Sequence, residues 1–92
     1  MNSEIENKID GLTEELKNSL EFLDDKALTS AKIQVLFYLK GYLESSEIDP
    51  ETVLNDIITG FEELNLKSTG YKQDLILAKL EVLNYLKGLL KF

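Results

Sequence analysis

The residues of this chain best suited to chemistry are carboxylates, and two pairs of them recur in the same short context, Glu14-Glu15-Leu16 and Glu62-Glu63-Leu64. Pairs on facing helices could bridge metal ions or share a proton, yet helical bundles that do so complete the centre with histidine from Glu-x-x-His motifs. The chain contains neither histidine nor cysteine. That removes the side chain best suited to proton transfer near neutral pH, the commonest nitrogen metal ligand, and any thiolate nucleophile or metal site. A third acidic group, Glu21, Asp24 and Asp25, lacks the spacing of an EF-hand loop and reads as solvated charge. Neither a glycine-rich phosphate loop nor a serine elbow occurs. The expectation is a protein that is not an enzyme, with no catalytic residue, no cofactor and no bound metal.

Recognition of a partner is the chemistry that remains, and charge limits the choice. The chain is acidic, with a net charge of −7. Residues 1 to 49 carry eleven acids against five lysines, whereas residues 67 to 92 carry five lysines against two acids. An acidic start and a mildly basic end disfavour general binding to a phosphate backbone. All ten basic residues are lysine, so the bidentate arginine contacts that read guanine are missing as well. Nucleic acid is not an expected partner. The late lysines Lys72, Lys79, Lys87 and Lys91 are candidates for contact with an acidic protein loop or an acidic membrane surface.

The elements that must position these residues are helices. At 92 residues the chain is long enough for one core and no more. Its 43% apolar and 29% charged residues are those of a globular domain. The opening MNSEIENKID lacks the pattern of a secretory signal, and no apolar run reaches the roughly 18 to 20 residues of a spanning helix. Together with the absence of cysteine, these features predict a cytoplasmic protein. One proline and five glycines leave few breaks. Ser3 and Glu6 have capping-box spacing, and Ile5, Ile9, Leu12, Leu16, Leu20 and Leu23 follow at intervals of three or four, which predicts a one-faced helix over about 4–23. A second helix spans about 27–44, capped by Asp24, Asp25 or Thr29. Asp49 before Pro50 marks the start of a third, about 50–65, because an aspartate oxygen accepts from first-turn amides and proline at the first helical position loses no needed bond. A fourth runs over about 70–91. The fold expected is an all-α antiparallel four-helix bundle occupying residues 1–92 as a single domain.

Helices two and four carry nearly the same text. AKIQVLFYLKGYL from Ala31 and AKLEVLNYLKGLL from Ala78 share nine of thirteen residues at an offset of 47. Helices one and three correspond weakly at an offset of 48, where Ile5 matches Val53, Ile9 matches Ile57, and the two Glu-Glu-Leu triplets coincide. Two related helical hairpins would give this pattern, and so would the convergence of leucine-rich helices. At about 100° per residue, Leu28, Val35, Leu36, Leu39, Tyr42 and Leu43 project to one side of helix two. Leu75, Val82, Leu83, Leu86, Leu89 and Leu90 do so in helix four. Ile33, Phe37, Leu77 and Leu80 fall behind these faces. They are either covered by a skewed bundle or exposed as a patch for a partner protein, for self-association or for a membrane surface. Gly41 and Gly88, equivalent in the repeat, fit either a close approach of two helices or positions near helix ends.

From Lys32 onward, the apolar helix ending in YLKGYL, the short polar loop, the aliphatic VLNDI of the third helix and the lysine-bearing last helix resemble the immunity proteins of pediocin-like (class IIa) bacteriocin producers. The resemblance covers roughly the last 60 residues and is compatible with an amphipathic first helix. It implies a small antiparallel four-helix bundle without enzymatic activity. Such a protein would work on the cytosolic side, where it recognises a membrane sugar-transporter complex bound by the bacteriocin, with specificity in the C-terminal half. A small acidic regulatory or adaptor protein of phage or plasmid type, and a self-associating helical subunit, are the other functions open to such a chain.

Overall fold

The protein was analysed as a computed structural model that describes residues 2–20 and 26–91. The described residues form four helices and no strand: α1 (Asn2–Ser19), α2 (Ala27–Ser45), α3 (Pro50–Lys67) and α4 (Gly70–Leu90). The all-α, four-helix expectation is met. Local chemistry accounts for the clearest boundary, because the Asp49 side chain accepts a hydrogen bond from the Thr52 amide at 3.3 Å and Pro50 opens α3. Between α3 and α4 the chain turns in two residues, Ser68 and Thr69. The Ser68 amide donates to the Asn65 carbonyl, and Gly70 takes a left-handed φ of 65° that a side chain would resist.

Two expected caps are not used. Ser3 lies inside α1, which begins at Asn2, and an N-cap must stand outside the helical backbone. Thr29 likewise lies inside α2; the residue before that helix is Lys26, with near-helical backbone angles and no side-chain cap. Leu23, Glu21, Asp24 and Asp25, named above as core, acidic cluster or caps, lie outside the described residues. The one buried polar residue among those described, Thr13, donates its hydroxyl to the Ile9 carbonyl one turn back at 2.8 Å, which satisfies it without a tertiary partner.

Packing divides the helices into a spine and two flanks. α2 and α4 pack extensively against each other; α1 lies mainly on α2 and α3 mainly on α4, while α1 meets α4 and α3 meets α2 only sparingly. Exchanging α1 with α3 and α2 with α4 leaves this pattern unchanged, so the packing pattern has an approximate internal two-fold. Burial at repeat-equivalent positions agrees: Leu36 and Leu83 are both fully buried, as are Leu39 and Leu86, and Val35 and Val82 are both core. The flanks contribute Ile5, Ile9 and Leu12 from α1 and Val53, Leu54 and Ile58 from α3 to the same core.

The spine position also corrects the assignment of faces. Ile33 and Leu80, placed behind the core by projection, are each only 8% exposed. The buried residues Val35, Leu39, Leu43, Leu36 and Ile33 cover an arc of about 160° around α2 at about 100° per residue. A helix with neighbours on two flanks needs that width. In the other direction, Tyr42 and Leu89 are exposed rather than core, and Leu28 and Leu75 are only half-buried. Nothing lies within 4 Å of where a Cβ would stand at Gly41 or Gly88, so a close helix approach does not explain either glycine.

Candidate functional site

Tyr38 and Tyr42 stand one turn apart on α2, with ring centroids 6.2 Å apart and planes tilted by 40°. Both rings are exposed. They form one wall of a groove whose other wall is α3, where Val53, Ile57, Gly60 and Leu64 recur at helical spacing. Ile48, from the connecting loop, and Phe61 and Lys79 also line it. The groove has a volume of about 540 Å³, within the range of sites that take a ligand or an anchoring side chain. Tyr38, Tyr42, Ile48 and Leu64, four of the exposed large apolar residues, line it. Its polar groups are few: Gln34, Asp56 and Lys79, whose ammonium sits 5.5 Å from the Phe61 ring centroid.

The internal two-fold explains why the groove exists. A counterpart lies between α1 and α4, lined by Leu12, Leu16, Lys32, Glu81, Val82 and Tyr85, with a volume of about 250 Å³. Under the repeat offsets Val82 corresponds to Val35, Tyr85 to Tyr38, Leu16 to Leu64 and Lys32 to Lys79. The two sites differ at several positions, among them Thr13, whose equivalent in the groove lining is Phe61. Leu12, 8% exposed, lines the α1/α4 groove, and its equivalent in α3 is Gly60, around which a Cβ would meet nothing within 4 Å. Another difference is one of charge. Lys32 pairs with Glu81 at 3.3 Å, whereas the counterpart of Glu81 is Gln34, an amide that leaves Lys79 without that carboxylate and free to lie over Phe61. A leucine and a carboxylate present in the smaller groove are thus absent from the larger, which has Phe61 and Tyr42 where the equivalents are Thr13 and Leu89.

The residues singled out from sequence distribute unevenly around this site. Lys79 lines the groove. Leu80 is part of the core cluster and Ile33 is equally buried, so neither offers contact surface. Phe37 is 53% exposed, with the Lys17 ammonium 5.2 Å from its ring centroid, and Leu77 is 46% exposed. Lys72 and Lys91 are exposed and Lys87 is half-buried, outside the groove lining. The Glu14-Glu15 and Glu62-Glu63 pairs are all exposed, on the two helices that barely meet. No group of three or more aspartates and glutamates suited to holding a metal ion occurs among the described residues. The groove was present in the sequence as one of several mismatches: at an offset of 48, Leu12 corresponds to Gly60, in helices that also differ at Glu6/Leu54, Asp10/Ile58 and Thr13/Phe61.

No described helix is long and apolar enough to cross a membrane. Compared with protein-family models, with curated proteins and with solved structures, the chain matches none.

Proposed function

We propose that this chain is a non-enzymatic recognition protein that holds a partner protein in the α2/α3 groove, and that it serves as an immunity protein of the pediocin-like type. The observation that carries the reading is an apolar groove of about 540 Å³ with exposed tyrosines on its rim and no covering element among the described residues. A concave apolar site with a few polar groups is the form that protein and ligand recognition takes. The four-helix fold is in keeping with the resemblance seen in the sequence. So is the fact that one whole wall is α3, in the half of the chain where that resemblance places specificity. In this reading the protein works in the cytoplasm against a membrane transporter complex.

Expression in a sensitive strain, followed by challenge with a broad panel of pediocin-like peptides, tests the biological role. Protection against at least one peptide, lost on Gly60→Leu while the protein remains folded, is the expected result; killing unchanged across the whole panel would sink it. A second reading, an adaptor for a soluble protein, draws on Phe37 and Leu77, which stay exposed outside the groove lining. It requires a single soluble partner recovered by pull-down and lost on Phe37→Asp.

A further inference from the structure

Resting on the reading of the groove as a recognition site, we infer the chemistry of its occupant: a cationic amphipathic helix that lays a leucine-sized aliphatic side chain over Gly60. The shape argument comes from the molecule itself. The α1/α4 groove is the smaller, about 250 Å³, and beside Leu16 and Val82 its lining includes Leu12, only 8% exposed. In the α2/α3 groove the walls are the equivalent Leu64 and Val35, and the place of the leucine is empty above Gly60. Phe61, where α1 has Thr13, adds apolar surface to this lining, and an occupant that reproduces the packing of Leu12 brings the isobutyl group absent at Gly60. On α3 the lining runs from Val53 to Leu64, about 16 Å at 1.5 Å per residue. That length accommodates about three turns of helix, the span over which apolar anchors at i, i+3, i+4 and i+7 engage a groove.

Charge selects the rest of the partner. Asp56 lines the α3 wall and is exposed; Glu63, two turns further on, is exposed on the same side of that helix, as is Lys67 one turn beyond it. Glu47 and Asp49 flank Ile48. The α2 wall presents Gln34, Tyr38 and Tyr42 and no cation. Lys79, the one cation in the lining, lies over Phe61. The lining is apolar and the rim acidic, so complementarity calls for lysine or arginine on the flanks of the bound helix. A second copy of this chain would bring another −7 against the same rim, which opposes self-association as the use of the groove.

The test uses the full chain and three synthetic helices of about four turns with the same leucine stripe, their remaining positions filled by lysine, glutamine or glutamate. Binding is read by fluorescence anisotropy at low and high salt. The lysine peptide is expected to bind best. Gly60→Leu should weaken it roughly 10- to 100-fold, the change that corresponds to losing one buried leucine, while a thermal melt shows that this variant is still folded. Asp56→Asn with Glu63→Gln should flatten the salt dependence. Equal binding of the lysine peptide to Gly60→Leu would mean attraction to the acidic surface alone and would overturn the proposal. If the glutamine peptide binds as well as the lysine peptide and is lost on Gly60→Leu, the cationic occupant falls while the groove reading stands. Binding by none of the three overturns the proposed occupant, and the protection assay then decides separately on the groove. Sedimentation showing a dimer that Gly60→Leu disrupts would assign the groove to a second copy instead.

Discussion

Gly60→Leu should make the protein more stable, which is unusual for a substitution expected to weaken binding roughly 10- to 100-fold. Two terms add. Glycine inside a helix is less favourable than alanine or leucine by about 0.8 to 1 kcal/mol. A leucine side chain is worth roughly 1.5 to 3 kcal/mol when fully buried. Because the groove is open along one side, about half of that is available, or about 1 kcal/mol, less about 0.5 kcal/mol for fixing the side chain. The net gain is about 1.5 kcal/mol. For a domain of this size that corresponds to roughly 6 to 12 °C in Tm, readable by far-ultraviolet circular dichroism and checked by urea unfolding. Gly60→Ala separates the terms, since it supplies the helix propensity and too little side chain to line the groove. The gain of leucine over alanine therefore measures the groove alone. If Gly60→Leu is no more stable than Gly60→Ala, or is less stable than the parent, the space above Gly60 is not leucine-shaped and the comparison with Leu12 is wrong.

Other expectations follow from the same packing. Leu36→Ala and Leu83→Ala remove repeat-equivalent side chains that are fully buried; each should cost about 2 to 5 kcal/mol, and the two costs should agree within about 1 kcal/mol in urea unfolding if the internal two-fold extends to energetics. Gly41→Ala should stabilise by about 0.5 to 1 kcal/mol, because its Cβ would stand in open space. Gly70→Ala should destabilise by about 1 to 2 kcal/mol, because its φ of 65° is left-handed. Opposite signs for the two glycines, measured by thermal melts, are the check. The Lys40 ammonium donates to Asp10 at 2.8 Å between α2 and α1, and this hydrogen bond raises its pKa above the ordinary lysine value. A raised lysine pKa contributes stability that is fully present below the unfolded-state value and is lost as pH rises through the folded one. The stability difference between the parent and Lys40→Met should therefore be flat from neutral pH to the lysine range and shrink above it. A difference that grows with alkalinity would contradict the pairing.

The number of helices and the α3 boundary were legible because their causes are local. Asp49 and Pro50 act within one turn, and a stripe of leucines at three- and four-residue spacing needs no knowledge of neighbours. The duplicated segment correctly picks out α2 and α4 as the most buried pair. Ile33 and Leu80 were ambiguous because projection on a wheel supposes one buried face, whereas a spine helix is covered on two. Gly41 and Gly88 drew attention as repeated residues, but the glycine that shapes the molecule is the unrepeated one. Gly60 was overlooked because a groove is made by what a residue lacks, and apolar periodicity registers only side chains that are present. Tyr42 projects with the core leucines of α2, yet it is exposed together with Tyr38, and only the position of α3 turns the two into a wall.

The arrangement of flanks on a spine has a consequence for local unfolding. α2 and α4 hold each other along their length, while α3 is attached mainly through α4 and leans on α2 only sparingly. Segments with few tertiary contacts open at lower free energy than the global transition, so the amides of α3 should exchange with solvent sooner than those of the spine. A helix seated in the groove would tie α3 to α2 and remove that freedom. Occupancy would then be recorded as slowed exchange along α3, including amides that the ligand never touches.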